Sequence, residues 1–276
     1  MRGGAFGWIG LLLAAAFTRA GAQERAALPN IADNSFLLEE AYNQEPGVVQ
    51  HISAFQLFRG ADSWVYTFTQ EWPLFSRTHQ LSFTVPIQRV QNGASFATGV
   101  GDVAVNYRYQ LAAAERLSVA PRLSLLLPTG RARSDLGAGA LGVQVNVPAS
   151  VIVASKVVTH WNVGGTVTPS AKNAVGDQAT TVAYNLGASV IWLARPTFNA
   201  LLEVVWTRDE AVTSSGHTAA SDALSISPGI RWAHNFSSGL QIVPGIAFPI
   251  GVGPSAGDDA VLFYLSFEHP FTSGSH

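Results

Sequence analysis

The feature that most constrains this chain is an odd-even alternation of apolar and polar side chains, clearest in Asp258 to Phe271, DDAVLFYLSFEHPF. Val261, Phe263, Leu265, Phe267 and Phe271 share one parity, and Tyr264, Ser266 and Glu268 the other. Successive side chains of a strand point to opposite faces, so this segment has one greasy, aromatic face and one polar face. A sandwich core would account for one such strand. The pattern recurs about twelve times with hardly any helix between, the signature of a membrane-spanning barrel. Trp64, Tyr66, Phe68 and Trp72 stand opposite Val65, Thr67, Thr69 and Glu71. Val103, Val105, Tyr107, Tyr109 and Leu111 oppose Asn106, Arg108 and Gln110, and Val182, Tyr184, Leu186, Val190 and Trp192 oppose Asn185 and Ser189.

Charge content agrees with a wall between lipid and water. Only 12% of residues are charged, against about 25% in average soluble proteins. The formal net charge of −2 leaves no basic field for nucleic acid. The absence of cysteine excludes disulfides, thiolate metal sites and a cysteine nucleophile.

The chain begins with the pattern of a signal peptide, residues 1–22: Arg2, then the apolar run Trp8 to Phe17, then the small residues Ala20-Gly21-Ala22. That run is too short to span as a helix, and no later stretch reaches about 18 consecutive apolar residues. Residues 23–47 form either a periplasmic arm or a short plug in the lumen. Within them Ser35 to Tyr42 carries good helix formers, with Asn34 or Ser35 placed to cap a helix that stops near Glu45-Pro46-Gly47. As a plug, it would turn Glu39 and Glu40 to a polar interior.

Strands are expected over 48–58, 62–72, 78–89, 101–112, 116–127, 140–154, 156–168, 180–194, 195–208, 223–235, 238–248 and 259–271. Residues 48–271 are thus an all-β, antiparallel up-and-down transmembrane barrel of about twelve strands, with 272–276 as a tail. Short connections at 71–79, 112–116, 154–156, 194–196 and 235–239 alternate with longer Gly-, Ser-, Asp- and Ala-rich ones at 90–100, 128–139, 169–179, 209–222 and 251–258. Outer-membrane barrels have short periplasmic turns and longer external loops, so both termini are expected on the periplasmic side, with 59–62 the one short external loop. Tyr66, Trp72, Tyr107, Tyr109, Trp161, Trp192, Trp206, Trp232, Phe248 and Phe271 lie on the apolar parity, as an aromatic belt at the headgroups requires.

If the greasy parity faces lipid, the other parity lines the lumen. It carries Glu71, Gln88, Asn106, Arg108, Arg122, Gln144, Asn146, His160, Asn162, Asn185, Glu203, Arg231, Tyr264 and Glu268. An arginine facing lipid near the midplane costs about 2–4 kcal/mol, which favours the interior. Three arginines and three glutamates balance, unlike the single-sign ring of an ion-selective pore. They either tie the wall together as paired charges or form a constriction of Arg108, Arg122, Glu203, Arg231 and Glu268 that orients a polar end of a solute.

Residues for chemistry are sparse. His51-Ile52-Ser53 and His160-Trp161-Asn162 contain the histidine, serine and asparagine of a barrel-type outer-membrane phospholipase, but without the Asn-Gly that follows the serine in such an enzyme. Seven histidines are scattered without a ligand motif. Asp258-Asp259 and Asp209-Glu210 read as solvated loop acids ahead of a calcium site. The glycines of 251–257 precede a strand, which a phosphate loop does not do. No catalytic residue, metal or cofactor is assigned.

At Gly99-Val-Gly-Asp102-Val-Ala-Val-Asn-Tyr107-Arg108-Tyr109-Gln110-Leu111 the sequence resembles the outer-membrane barrels associated with the meta-cleavage pathway of phenol degradation. Glu39-Glu-Ala-Tyr42-Asn-Gln-Glu45, Val48-Val-Gln-His51-Ile52 and Pro121-Arg122-Leu-Ser-Leu-Leu-Leu127-Pro128-Thr129-Gly130 support it, covering the first half of the chain. The resemblance implies an outer-membrane channel for passive movement of aromatic or other small hydrophobic compounds. A C-terminal strand ending in Phe271 also resembles the terminal signal of bacterial outer-membrane proteins, implying a barrel-assembly machinery as a partner beside membrane lipids and a small solute. The five residues Thr272 to His276 behind it depart from that signal. A structural or adhesion barrel with a closed lumen is the alternative, and an outer-membrane hydrolase a distant third.

Overall fold

The computed structural model describes residues 35–271; the signal-peptide segment, residues 23–34 and the 272–276 tail lie outside the described residues. The chain winds as one closed antiparallel barrel of 12 staves. The first four are β1 (Val48–Phe58), β2 (Trp64–Leu74), β3 (Ser76–Asn92) and β4 (Ser95–Val100 continuing as Val103–Tyr109). Then come β5 (Leu117–Val119 continuing as Arg122–Leu127), β6 (Gly142–Ala154), β7 (Val157–Lys172) and β8 (Gln178–Arg195). The circuit ends with β9 (Phe198–Ser214), β10 (His217–Trp232), β11 (Gln241–Ala247 continuing as Ile250–Gly251) and β12 (Ala260–Pro270). Each stave pairs with the next in sequence, and β12 returns to β1 in unbroken register from Val48↔Pro270 to Phe58↔Ala260. Closure leaves no open edge, the condition a sheet must meet in hydrocarbon.

The parity read from the sequence sorts the two faces. Tyr107, Tyr109, Trp161, Val163, Leu186, Trp192, Trp232 and Phe263 are exposed on the outer wall. On the inner parity Ser82, Asn106, Arg108, Ser124, Asn146, Ser150, His160, Asn162, Ser189, Glu203, Ser227, Arg231 and Ser266 are buried. No helix among the described residues is long and apolar enough to cross a membrane; the crossing is made by strands.

Three of the expected long loops are continuations of strands instead. The hairpin of β3 and β4 runs to Asn92↔Ser95, that of β9 and β10 to Ser214↔His217, and that of β7 and β8 to Lys172↔Gln178 across a bulge near Thr168. Their Ser, Thr and Ala residues satisfy the ladder without an oily face, so the apolar alternation fades while the strand persists. Gly93, at φ 60°, and Gly216, at φ 79°, sit in the two-residue turns of the first two of these hairpins in a conformation glycine adopts freely. At this distal rim two connections remain long, each holding a single 3-10 turn: Ala132–Ser134 and Gly253–Ser255. The first folds back over the rim. The Asp102 carboxylate accepts the Gly130 and Ala138 N–H groups at 2.9 and 2.7 Å, and Leu136 is buried with its carbonyl accepting from the Gln88 amide at 3.0 Å.

Residues 35–47 do not form the expected helix; their backbone is extended and bent, and it crosses the barrel interior. The physical reason is competition for donors. The N–H groups of Leu37, Glu39, Ala41, Asn43 and Gln44 are taken by side-chain oxygens of the wall, so they are not available to carbonyls four residues back. We call this segment the strap.

Candidate functional site

Of the residues on the inner parity, Glu71, Asn106, Arg108, Asn146, His160, Asn162, Glu203, Arg231 and Tyr264 are buried, and the strap runs among them. Ser35 Oγ lies 2.9 Å from Ser189 Oγ on β8. Phe36 packs edge-on against Tyr264 of β12, ring centroids 5.3 Å apart, beside Gly229 and Gly245 on β10 and β11. A Cβ on either glycine would come 2.5 Å from the Phe36 ring, so glycine is what admits the aromatic side chain. Leu38 occupies the space that a side chain at Gly187 of β8 would fill. The strap then passes Asn162 and Ser150, reaches Arg108 and Gln80 on the opposite wall, and ends with Glu45 paired to Arg77 at the terminal rim.

The charged lining pairs with the strap as much as with itself. Arg108 Nε donates to Asn43 Oδ1 at 2.9 Å, and its other nitrogens donate to the carbonyls of Glu40 and Tyr42 at 3.2 and 2.7 Å. The same guanidinium stands 3.7 Å from Glu71, which also accepts from the Gln80 amide at 2.7 Å. Arg122 pairs with Glu39 of the strap at 3.0 Å and donates to Gln144 at 2.6 Å. Glu203, fully buried, accepts the Leu37 N–H at 2.9 Å. Arg231, 1% exposed, lies along Gly245 beside the Phe36 pocket. Asn106 donates to Ser82 Oγ at 3.1 Å, and Glu268 sits in register with Gln50. Arg108, Arg122, Glu203, Arg231 and Glu268 therefore do not stand as a bare ring: the strap runs among them.

The two histidine-serine triplets separate. His51 and Ser53 lie on the outer face, His51 stacked on His269 with Nε2 atoms 3.3 Å apart and Ser53 bonded to the Tyr66 hydroxyl at 3.1 Å. Ser53 pairs across the sheet with Leu265 and Phe68, both on the lipid parity, which is why it cannot join His160 inside. His160 instead meets Ser150, Oγ to Nδ1 2.7 Å, and the Tyr42 ring edge-on at 6.2 Å.

Sequence reading missed Ser150 and Gln80 as members of this constellation, although both lie on the inward parity. Gln110 reads on the polar parity and Glu39 as turned to a polar interior if residues 23–47 form a plug, but no spacing encodes which wall residues meet that segment. The interior also mixes apolar and polar side chains. Ile52, Ala54, Ala247, Leu262 and Tyr264 gather around Phe36 as an apolar cluster. Polar pairs share the interior with them: Thr69, the register partner of Ile52, bonds Thr84 at 2.8 Å, and between β6 and β7 Gln144 bonds Thr166 at 3.0 Å and Asn146 bonds Asn162 at 2.9 Å.

Several solved structures of the same fold are outer-membrane channels. An outer-membrane channel from Pseudomonas putida F1 superposes with a TM-score of 0.59 at 12% identity, over 84% of this chain and 98% of that one. The NanC porin superposes at 0.53 with 8% identity over 81% and 100% of the two chains, and the KdgM porin at 0.50 with 8% identity over 81% and 99%. Neither a family model nor a curated protein sequence matches the chain. At such identities the likeness defines a fold, the closed β-barrel of bacterial outer-membrane proteins.

Proposed function

We propose that this protein is a passive outer-membrane channel for small solutes whose path is closed at rest by the strap. The observation that carries the reading is the division of one closed wall into an oily exterior and an interior of buried Arg, Glu, Asn and Ser side chains. A wall of this kind serves as a lipid-facing cylinder around a polar route. The route runs past Glu71, Asn106, Arg108, Arg122, His160, Glu203, Arg231, Tyr264 and Glu268, and the strap is its gate. The termini face the periplasm in this reading, and the β12 strand is the segment that the barrel-assembly machinery takes up.

The mixed apolar and polar interior supports a small, hydrophobic or aromatic solute. An aromatic ring already sits in the apolar cluster as Phe36, and the hydroxyls and amides elsewhere on the lining would meet a polar substituent. Liposome swelling with phenolic compounds, amino acids and sugars tests this. Phenolic compounds are expected to enter faster than sugars of similar size; swelling with none of them contradicts the reading. That second outcome favours a structural or adhesion barrel, for which the filling of the lumen by the strap is the supporting observation.

A further inference from the structure

Of all the contacts inside the barrel, those to the strap have a distinctive form: the wall reads its backbone. Leu37, Glu39, Ala41 and Asn43 donate their N–H groups in turn to Glu203 Oε1 of β9, Asn162 Oδ1 of β7, Ser150 Oγ of β6 and Gln110 Oε1 beyond β4, at 2.9, 3.1, 2.8 and 3.1 Å. Two of the acceptors are amide forks. Asn162 also donates to the Glu39 carbonyl at 2.8 Å, and Gln110 donates to the Ala41 carbonyl at 2.8 Å, so each amide pairs with the strap as a neighbouring strand would.

Except for Glu203, the acceptors are held in place by hydrogen bonds to the barrel itself. Asn146 donates to Asn162 Oδ1 at 2.9 Å, His160 Nδ1 lies 2.7 Å from Ser150 Oγ, and Gln110 Nε2 donates to the Ala112 carbonyl at 2.9 Å. Gln80, which takes the Gln44 N–H at 2.8 Å, donates to Glu71 at 2.7 Å. A track fixed by its own wall does not depend on the strap for its geometry, and such preorganisation lowers the cost of binding. Side chains add to the main-chain reading at four places: Phe36 in its glycine-lined pocket, Leu38 in the space at Gly187, Glu39 paired with Arg122 at 3.0 Å, and Asn43 accepting from Arg108 Nε at 2.9 Å.

We infer that the lumen is a binding site for an extended oligopeptide supplied in trans, read through its main chain, with an aromatic residue followed two positions later by an aliphatic one. The strap is the resident copy of that ligand. The inference goes beyond the channel reading, because occupancy of the track does not require that anything pass through.

The test uses full-length protein in detergent micelles and a fluorescent, terminally blocked peptide with the sequence of residues 35–44. In the Phe36→Ala/Leu38→Ala chain, whose strap is loosened, the peptide is expected to bind by fluorescence anisotropy. N-methylation at the Leu37, Glu39, Ala41 and Asn43 positions is expected to weaken it at least about a hundredfold, since each lost bond is worth about a factor of five to ten. A peptide that keeps only the Phe, Leu, Glu and Asn of positions 36, 38, 39 and 43 should bind within about tenfold of the parent, the remaining side chains contributing little. Wild-type protein supplies an arm that needs no variant: a peptide with benzophenone in place of the phenylalanine should label the segment containing Gly245, and excess unlabelled peptide should suppress the labelling. Equal binding of the N-methylated and parent peptides overturns the inference, as does the absence of both binding and labelling. A barrel that binds the peptide yet passes no solute would leave this inference intact and defeat the channel.

Discussion

At the scale of single residues, two arginines of similar appearance in the sequence carry different weight. Arg108 and Glu71 are nearly sealed from water, with side chains 4% and 9% exposed, and the guanidinium also holds Asn43 and two strap carbonyls. Arg108→Met takes the counter-charge from a buried carboxylate and is expected to destabilise the protein by about 3–5 kcal/mol. Arg122 and Glu39 are 20% and 24% exposed, and Arg122→Met should cost about 1 kcal/mol or less. Urea unfolding of refolded protein in micelles, followed by tryptophan fluorescence, measures both; similar losses for the two variants would contradict the assignment. Asn162→Leu removes both bonds of one fork and should make residues 35–45 more accessible to protease while the strands stay intact. Alternation revealed that Arg108, Glu203 and Arg231 point inward, because parity is a local property. Their partners were invisible, because Glu203 meets a backbone N–H 166 residues away and no spacing encodes that.

At the scale of elements, the distal rim is shaped by one carboxylate. Asp102 interrupts β4 and clasps two backbone N–H groups of the connection between β5 and β6. Asp102→Ala leaves both donors unpaired at a cost of about 1–3 kcal/mol, and hydrogen exchange at Gly130 and Ala138 should quicken while exchange in β5 and β6 is unchanged. Unchanged protection at both amides would rule the clasp out. The strap teaches the complementary lesson about reading elements from sequence. Ser35 to Tyr42 has helical propensity, yet propensity worth a few tenths of a kcal/mol per residue yields to a wall that offers an oxygen to every second N–H. The hairpins of β3 with β4 and β9 with β10 outlast their apolar pattern for a related reason: a strand beyond the oily belt needs the ladder and not the alternation.

At the scale of the whole molecule, the proposed channel needs lipid around the barrel and the strap as its closure. Val163 and Leu186, paired across β7 and β8 on the exposed outer face, lie far from both rims. Arginine at either position is expected to lower folding stability in vesicles by about 2–4 kcal/mol, read by urea titration, and no loss would mean that this face does not meet hydrocarbon. Closure of the lumen is tested most directly by tethering the strap. Ser35 and Ser189 face each other with hydroxyl oxygens 2.9 Å apart, and the chain has no cysteine of its own, so Ser35→Cys/Ser189→Cys introduces a single controllable cross-link. In single-channel recordings the oxidised protein should be silent, and reduction should restore openings. Steady, solute-sized currents through the oxidised protein, unaltered by reduction, would show that the strap does not gate the path.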